Sequence, residues 1–117
     1  MKERRRFVRI PGNLRIFYKL THNIKTGESI TEDISEGGSR FFVNEFIPKN
    51  NFLTIWITLE KTYFSFEVFG RVAWIRECPH TERHEVGVEF MNIPKEAAEA
   101  LIDYKEIFHS PQSKGTV

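Results

Sequence analysis

Polar and apolar residues alternate with a period of two through most of this chain, and that period predicts strands. After the turn signal Pro11-Gly12-Asn13, the apolar positions Leu14, Ile16, Tyr18 and Leu20 alternate with Arg15, Phe17 and Lys19. Residues 21–28 are polar and read as a hairpin loop with Thr26-Gly27 near its tip. An extended run resumes from Ser29 to Ile34, Gly37-Gly38 breaks the ladder, and Arg40 to Val43 extends again. Residues 46–51 connect to the clearest strand, where Leu53, Ile55, Ile57 and Leu59 alternate with Thr54, Trp56 and Thr58. Lys61-Thr62 turns the chain back into a long aromatic and β-branched run, Tyr63 to Ile75, in which Gly70 marks a bulge or bend. Residues 77–84 are polar, contain Pro79 and read as a loop; Val86 to Phe90 is the last strand.

The period then changes. Ala97, Leu101, Tyr104 and Phe108 fall at i, i+4, i+7 and i+11, one apolar stripe of a helix. Pro94 suits its first turn and Glu96 its positive end. Six strands followed by one helix predict a mainly β fold, a small antiparallel barrel with the helix packed on it. Closure into a barrel also removes the exposed edges that such apolar strands would present.

At 117 residues the chain has room for one core and not for two. Its organisation is an arm over 1–13, the barrel and helix over 14–109, and a polar, disordered tail over 110–117. Eleven phenylalanines suggest that rings fill the interior, and Trp56 and Trp74 are assigned to packing. No apolar run approaches the roughly 18 residues of a membrane span, and no signal peptide opens the chain. The single Cys78 has no partner for an internal disulfide, in keeping with a reducing compartment and a cytoplasmic location. Cys78, His80 and His84 match no zinc-ligand spacing and are read as a solvated loop, so no metal is expected. No nucleophile has an evident base and no phosphate loop is present, so neither an enzyme nor a catalytic cofactor is expected.

Charge is distributed unevenly. Residues 1–20 carry seven cations against Glu3, a net charge of +6, and the rest of the chain carries −5. A basic arm on an acidic body points to an anionic ligand near the N-terminus or to docking against that body. Two clusters sharpen the choice. Arg5-Arg6-Phe7-Val8-Arg9 offers guanidinium groups at i and i+4, which pair bidentately with a guanine edge or with phosphate oxygens. Asp33-Ile34-Ser35-Glu36-Gly37-Gly38 offers a carboxylate, which accepts guanine N–H groups, then a hydroxyl and a glycine turn. Together they supply what a guanine nucleotide phosphate requires.

In this order, with one strand between them, the clusters resemble the two motifs of the PilZ domain, a bacterial receptor module for cyclic di-GMP. Arg5 and Arg9 match R-x-x-x-R; Asp33, Ser35 and Gly38 match (D/N)-x-S-x-x-G. Residues 70–75 (Gly-Arg-Val-Ala-Trp-Ile) and 86–90 (Val-Gly-Val-Glu-Phe) are similar to the family's closing strands. The resemblance implies a six-stranded antiparallel barrel. It also implies that Arg5 and Arg9 bind guanine edges and phosphates while Asp33 reads guanine N–H groups and Ser35 hydrogen-bonds base or phosphate. Gly37 and Gly38 would form a tight turn close to the ligand, and Arg40 would reach either the ligand or a carboxylate. Arg4, just ahead of the first motif, implies a stacked ligand pair, two cyclic di-GMP molecules per chain. Ligand would order the arm and so change a downstream protein partner or self-association. Two other readings use the same features: a PilZ-shaped adaptor that binds no ligand, and a small nucleic-acid-binding barrel. The intact motifs disfavour the first and the acidic body the second.

Overall fold

The computed structural model describes residues 10–11, 14–21, 25–59 and 64–109. Arg4, Arg5, Arg6 and Arg9, and the tail from residue 110, lie outside the described residues. Among the described residues, seven strands and one helix follow in order: β1 (Ile10–Pro11), β2 (Arg15–Leu20), β3 (Thr26–Ser35), β4 (Gly38–Val43), β5 (Phe52–Leu59), β6 (Phe64–Glu77), β7 (His84–Met91) and α1 (Lys95–His109). All pairings are antiparallel and run β3-β2-β5-β6-β7-β4; a β3–β4 pairing closes the six strands into a barrel. The predicted six-stranded barrel with a C-terminal helix is therefore the fold.

Alternation places one face of each strand inside. The burial of β2 alternates strictly, with Ile16, Tyr18 and Leu20 inside and Arg15, Phe17 and Lys19 outside. β5 contributes Leu53, Ile55, Ile57 and Leu59, each 0% exposed. The interior is mostly aliphatic, contrary to the expectation drawn from the phenylalanine count. Among the described phenylalanines only Phe41, Phe66 and Phe90 are buried, whereas Phe17, Phe46 and Phe69 are exposed. Several rings instead pair on the outer surface, Phe17 with Trp56 at 5.5 Å and Phe52 with Phe69 at 5.3 Å. Helix α1 turns Ala97, Leu101 and Tyr104 inward. It is entered through Pro94, whose carbonyl accepts the Ala98 amide at 2.9 Å.

Four local expectations change. Ile10 and Pro11, assigned to the arm and a turn, form β1 on β3, with Ile10 opposite Ile34 and Pro11 opposite Asp33. They fill the side of β3 that β2 leaves when it starts at Arg15, opposite Ile30. Thr26-Gly27 is the start of β3 rather than a loop tip. Gly27 lies under the Tyr18 ring, close enough that a Cβ would meet the phenol oxygen at 2.4 Å, so the glycine serves cross-strand packing. The irregularity of β6 falls between Val72 and Trp74, not at Gly70. Finally, β6 runs on to Glu77 and β7 starts at His84, so the connecting loop spans only 78–83. Thr81 tightens it by donating to the Cys78 carbonyl at 2.9 Å and accepting the Arg83 amide at 3.0 Å.

Candidate ligand-binding wall

The second motif folds as a hairpin. Ser35 pairs with Gly38 across a two-residue turn, and the Ser35 hydroxyl accepts the Gly37 amide at 3.1 Å. This is the local bond that serine offers a turn. Ser35 is 1% exposed, and its hydroxyl holds the turn. The Gly37 carbonyl accepts the Phe90 amide at 2.9 Å, which ties the turn to β7. Ser39 donates to the Asp33 carbonyl at 2.9 Å.

Register then assembles one outer wall from β3, β4, β7 and β6. Asp33 lies opposite Arg40, Arg40 opposite Gly87, and Gly87 opposite Trp74. The neighbouring row is Ser35, Gly38, Glu89 and Arg71, and the row on the other side holds Phe42, Glu85 and Arg76. A cleft of about 290 Å³ opens here, lined by Asp33, Arg40, Trp74, Gly87 and Glu89 among others. Gly87 gives the cleft its floor. A Cβ there would lie 2.2 Å from indole atoms of Trp74, so the glycine lets the ring lie against the strand. Trp74 is 40% exposed, and beyond the packing role expected of it, it lines the cleft.

Charge on the wall is paired. Arg40 donates from Nε to Asp33 Oδ2 at 3.2 Å and from Nη1 to Glu85 Oε2 at 2.6 Å. Arg76 donates to the other Glu85 oxygen, Oε1. Arg71 donates to Asn50 Oδ1 at 2.6 Å and to Glu89 Oε1 at 2.5 Å. Burial alone would raise the Glu85 pKa; hydrogen bonds from Arg76 and Arg40 outweigh it and hold the carboxyl below its ordinary value. The same Glu85 bond, with Asp33 adding to it, raises the Arg40 pKa against the opposing effect of burial. Among the expected site residues, the structure brings together Asp33, Gly37 and Arg40 on the cleft and puts Ser35 and Gly38 in the turn beside it. Arg4, Arg5 and Arg9 lie outside the described residues. The connection to them is described, however, because β1 pairs beside Asp33.

Sequence reasoning did not select Glu85, Arg76, Trp74, Gly87 or Glu89. A signal existed for three of them: Glu85, Gly87 and Glu89 alternate with Val86, Val88 and Phe90, which marks a second face on β7. Which β6 residues share that face depends on the bulge at Ala73, which the sequence does not reveal.

A family model for the PilZ domain matches residues 3–106. Several solved structures share the fold. The Bacillus subtilis inhibitor of motility MotI/DgrA aligns with a TM-score of 0.74 and 22% identity over 87% of this chain and 49% of its own. The PilZ domain of Escherichia coli YcgR, with c-di-GMP, aligns at 0.71 and 15% identity over 97% of this chain and 98% of that domain. The K. pneumonia MrkH–c-di-GMP complex aligns at 0.68 and 15% identity over 98% of this chain and 55% of MrkH. The chain thus spans about half the length of MotI and MrkH. No curated protein matches it in sequence. Among the described residues no helix is long and apolar enough to cross a membrane.

Proposed function

We propose, from the premise that this chain belongs to the PilZ domain family, that it is a cytoplasmic receptor binding cyclic di-GMP on this outer wall. One juxtaposition carries the reading. β1 pairs with Ile34 and Asp33, so the segment bearing Arg5 and Arg9 is tethered at the lip of the cleft that Asp33 and Arg40 line. Arg9 directly precedes Ile10, and Arg5 lies within about 18 Å of it even with the chain fully extended. Both guanidinium groups are therefore within reach of a ligand lying on the wall. Solved relatives of this fold, the YcgR PilZ domain and MrkH, carry c-di-GMP in their structures.

In this reading Arg5 and Arg9 grip phosphates and guanine edges from above, while Asp33 accepts guanine N–H groups from the wall. Ser35 acts through the turn, keeping Gly37 and Gly38 low at the rim. Arg40 holds Asp33 in place and Trp74 offers a ring face to a base. Closing the arm over the ligand neutralises its like charges and changes the surface that another protein, or a second copy, meets.

Calorimetric titration with cyclic di-GMP, against GTP and cyclic di-AMP, tests the assignment. Arg5→Ala and Arg9→Ala should each weaken binding about tenfold or more while the barrel stays folded, since a charge-assisted hydrogen bond contributes about 1.5–3 kcal/mol. Unchanged affinity in either variant contradicts it. A native protein that takes up no cyclic di-GMP would instead be a ligand-free adaptor of the same shape.

A further inference from the structure

The wall contains a carboxylate that belongs to neither motif. Glu85 lies on the face of β7 that looks away from the core, in the same alternation as Gly87 and Glu89. Its side chain is nevertheless only 1% exposed, because Arg40 from β4 and Arg76 from β6 cover it. A buried carboxylate with one oxygen on each of two guanidinium groups is a fixed point, since turning it would break both bonds. Arg40 is held from both sides, by Glu85 at 2.6 Å and by Asp33 at 3.2 Å. The chain Asp33–Arg40–Glu85–Arg76 crosses four strands and has no net charge.

We propose that Glu85 is the positioning residue of this site: it holds Arg40, and through Arg40 it keeps the Asp33 carboxylate aimed as a reader of guanine. The proposal rests on the cyclic di-GMP reading above. Its logic is a competition for one guanidinium group. Arg40 is 38% exposed along its side chain and lines the cleft, so without Glu85 only the longer 3.2 Å bond to Asp33 restrains it, and a phosphate that enters can compete for it. Planar guanidinium groups bind phosphate oxygens bidentately. Loss of Glu85 also leaves the wall one positive charge in excess. Both effects favour capture of phosphate in general over recognition of the guanine edge, so specificity falls further than affinity.

The test has one arm without nucleotide and one with it. In the free protein, the Arg40 Nη1–H that donates to Glu85 should exchange slowly with solvent by nitrogen-15 NMR, and Glu85→Gln should make it exchange fast. Slow exchange that persists in the variant overturns the proposal, whatever the protein binds. With nucleotide, Glu85→Gln should reduce the affinity ratio of cyclic di-GMP over cyclic di-AMP about tenfold, the scale of one charge-assisted hydrogen bond. Arg40→Gln should reduce it similarly, and the double variant no further. An unchanged ratio, or effects that simply add, also overturns it. Should the glutamine variant not fold, Glu85→Asp keeps the charge, withdraws the carboxylate by one methylene, and is read in the same two ways. Failure of the native protein to bind cyclic di-GMP would sink the functional reading alone, because the exchange experiment still decides whether Glu85 holds Arg40.

Discussion

A Cβ at Gly38 would lie 2.2 Å from the carbonyl oxygen of Val88, a backbone atom that cannot give way unless β4 parts from β7. The resemblance had tied this glycine to a tight turn and a nearby ligand; the closest constraint in the structure is the adjacent strand. Gly38→Ala should therefore destabilise the protein even without ligand, by about 1–3 kcal/mol or more, the usual cost of overpacking. Chemical denaturation of the free protein measures this, and an unchanged midpoint would return the glycine to the ligand. Tyr18 makes a residue-scale prediction in pH. Burial, helped by Glu45, pushes its phenol pKa from 10.0 up to about 12. The neutral phenol is thus favoured by folding, and its contribution is complete below pH 10 and lost as pH rises to about 12. Two pKa units correspond to about 2–3 kcal/mol. Alkaline denaturation should steepen across that window in the native protein and less so in Tyr18→Phe.

Elements differ in how much of them the sequence exposes. Helix α1 is legible because one stripe carries its burial: Ala97 and Leu101 are 0% exposed, while Ile102 on the opposite side is 42% exposed. Leu101→Ala should cost about 2–5 kcal/mol by opening a cavity where the helix meets the barrel, and Ile102→Ala should stay within about 0.5 kcal/mol. Equal effects in thermal unfolding would mean that the helix does not pack as described. Strands β2 and β5 are legible for a similar reason, since strict alternation leaves one register that buries every aliphatic residue along with Tyr18. The hairpin of Asp33, Ser35 and Gly38 is contiguous, so its half of the site could be read directly. The other half could not. Arg40 and Glu85 are 45 residues apart in sequence, and Trp74 comes to face Gly87 only after a bulge at Ala73 shifts the register of β6. Pairing over such distances is decided by barrel closure, which no local pattern encodes. The fate of the phenylalanines has the same cause. Residue type favoured burial, but strand parity put Phe17 and Phe69 outside.

At the scale of the molecule, the proposed reading divides the work of meeting an anion between barrel and arm. Six charged side chains of the wall cancel one another: Asp33, Glu85 and Glu89 stand against Arg40, Arg71 and Arg76, all joined in ion pairs. In that reading these side chains face a base edge, but as a set they hold no surplus charge to offer phosphates. The surplus is in residues 1–20, with a net charge of +6 in the sequence, and β1 fixes where that segment joins the wall. Ligand stoichiometry should then depend on the arm rather than on the barrel. One cyclic di-GMP brings two phosphate charges, which Arg5 and Arg9 can balance; a stacked pair brings four and a second set of guanine faces. Arg4 adds the further guanidinium group that a pair requires, both as counter-charge and as a stacking plane. We expect two molecules per chain in the native protein and a shift towards one in Arg4→Leu, with the wall residues unchanged. Calorimetry gives the ratio directly. A ratio of one in the native protein would show that Arg4 takes no part, and that a single ligand is held between a neutral wall and two arginines.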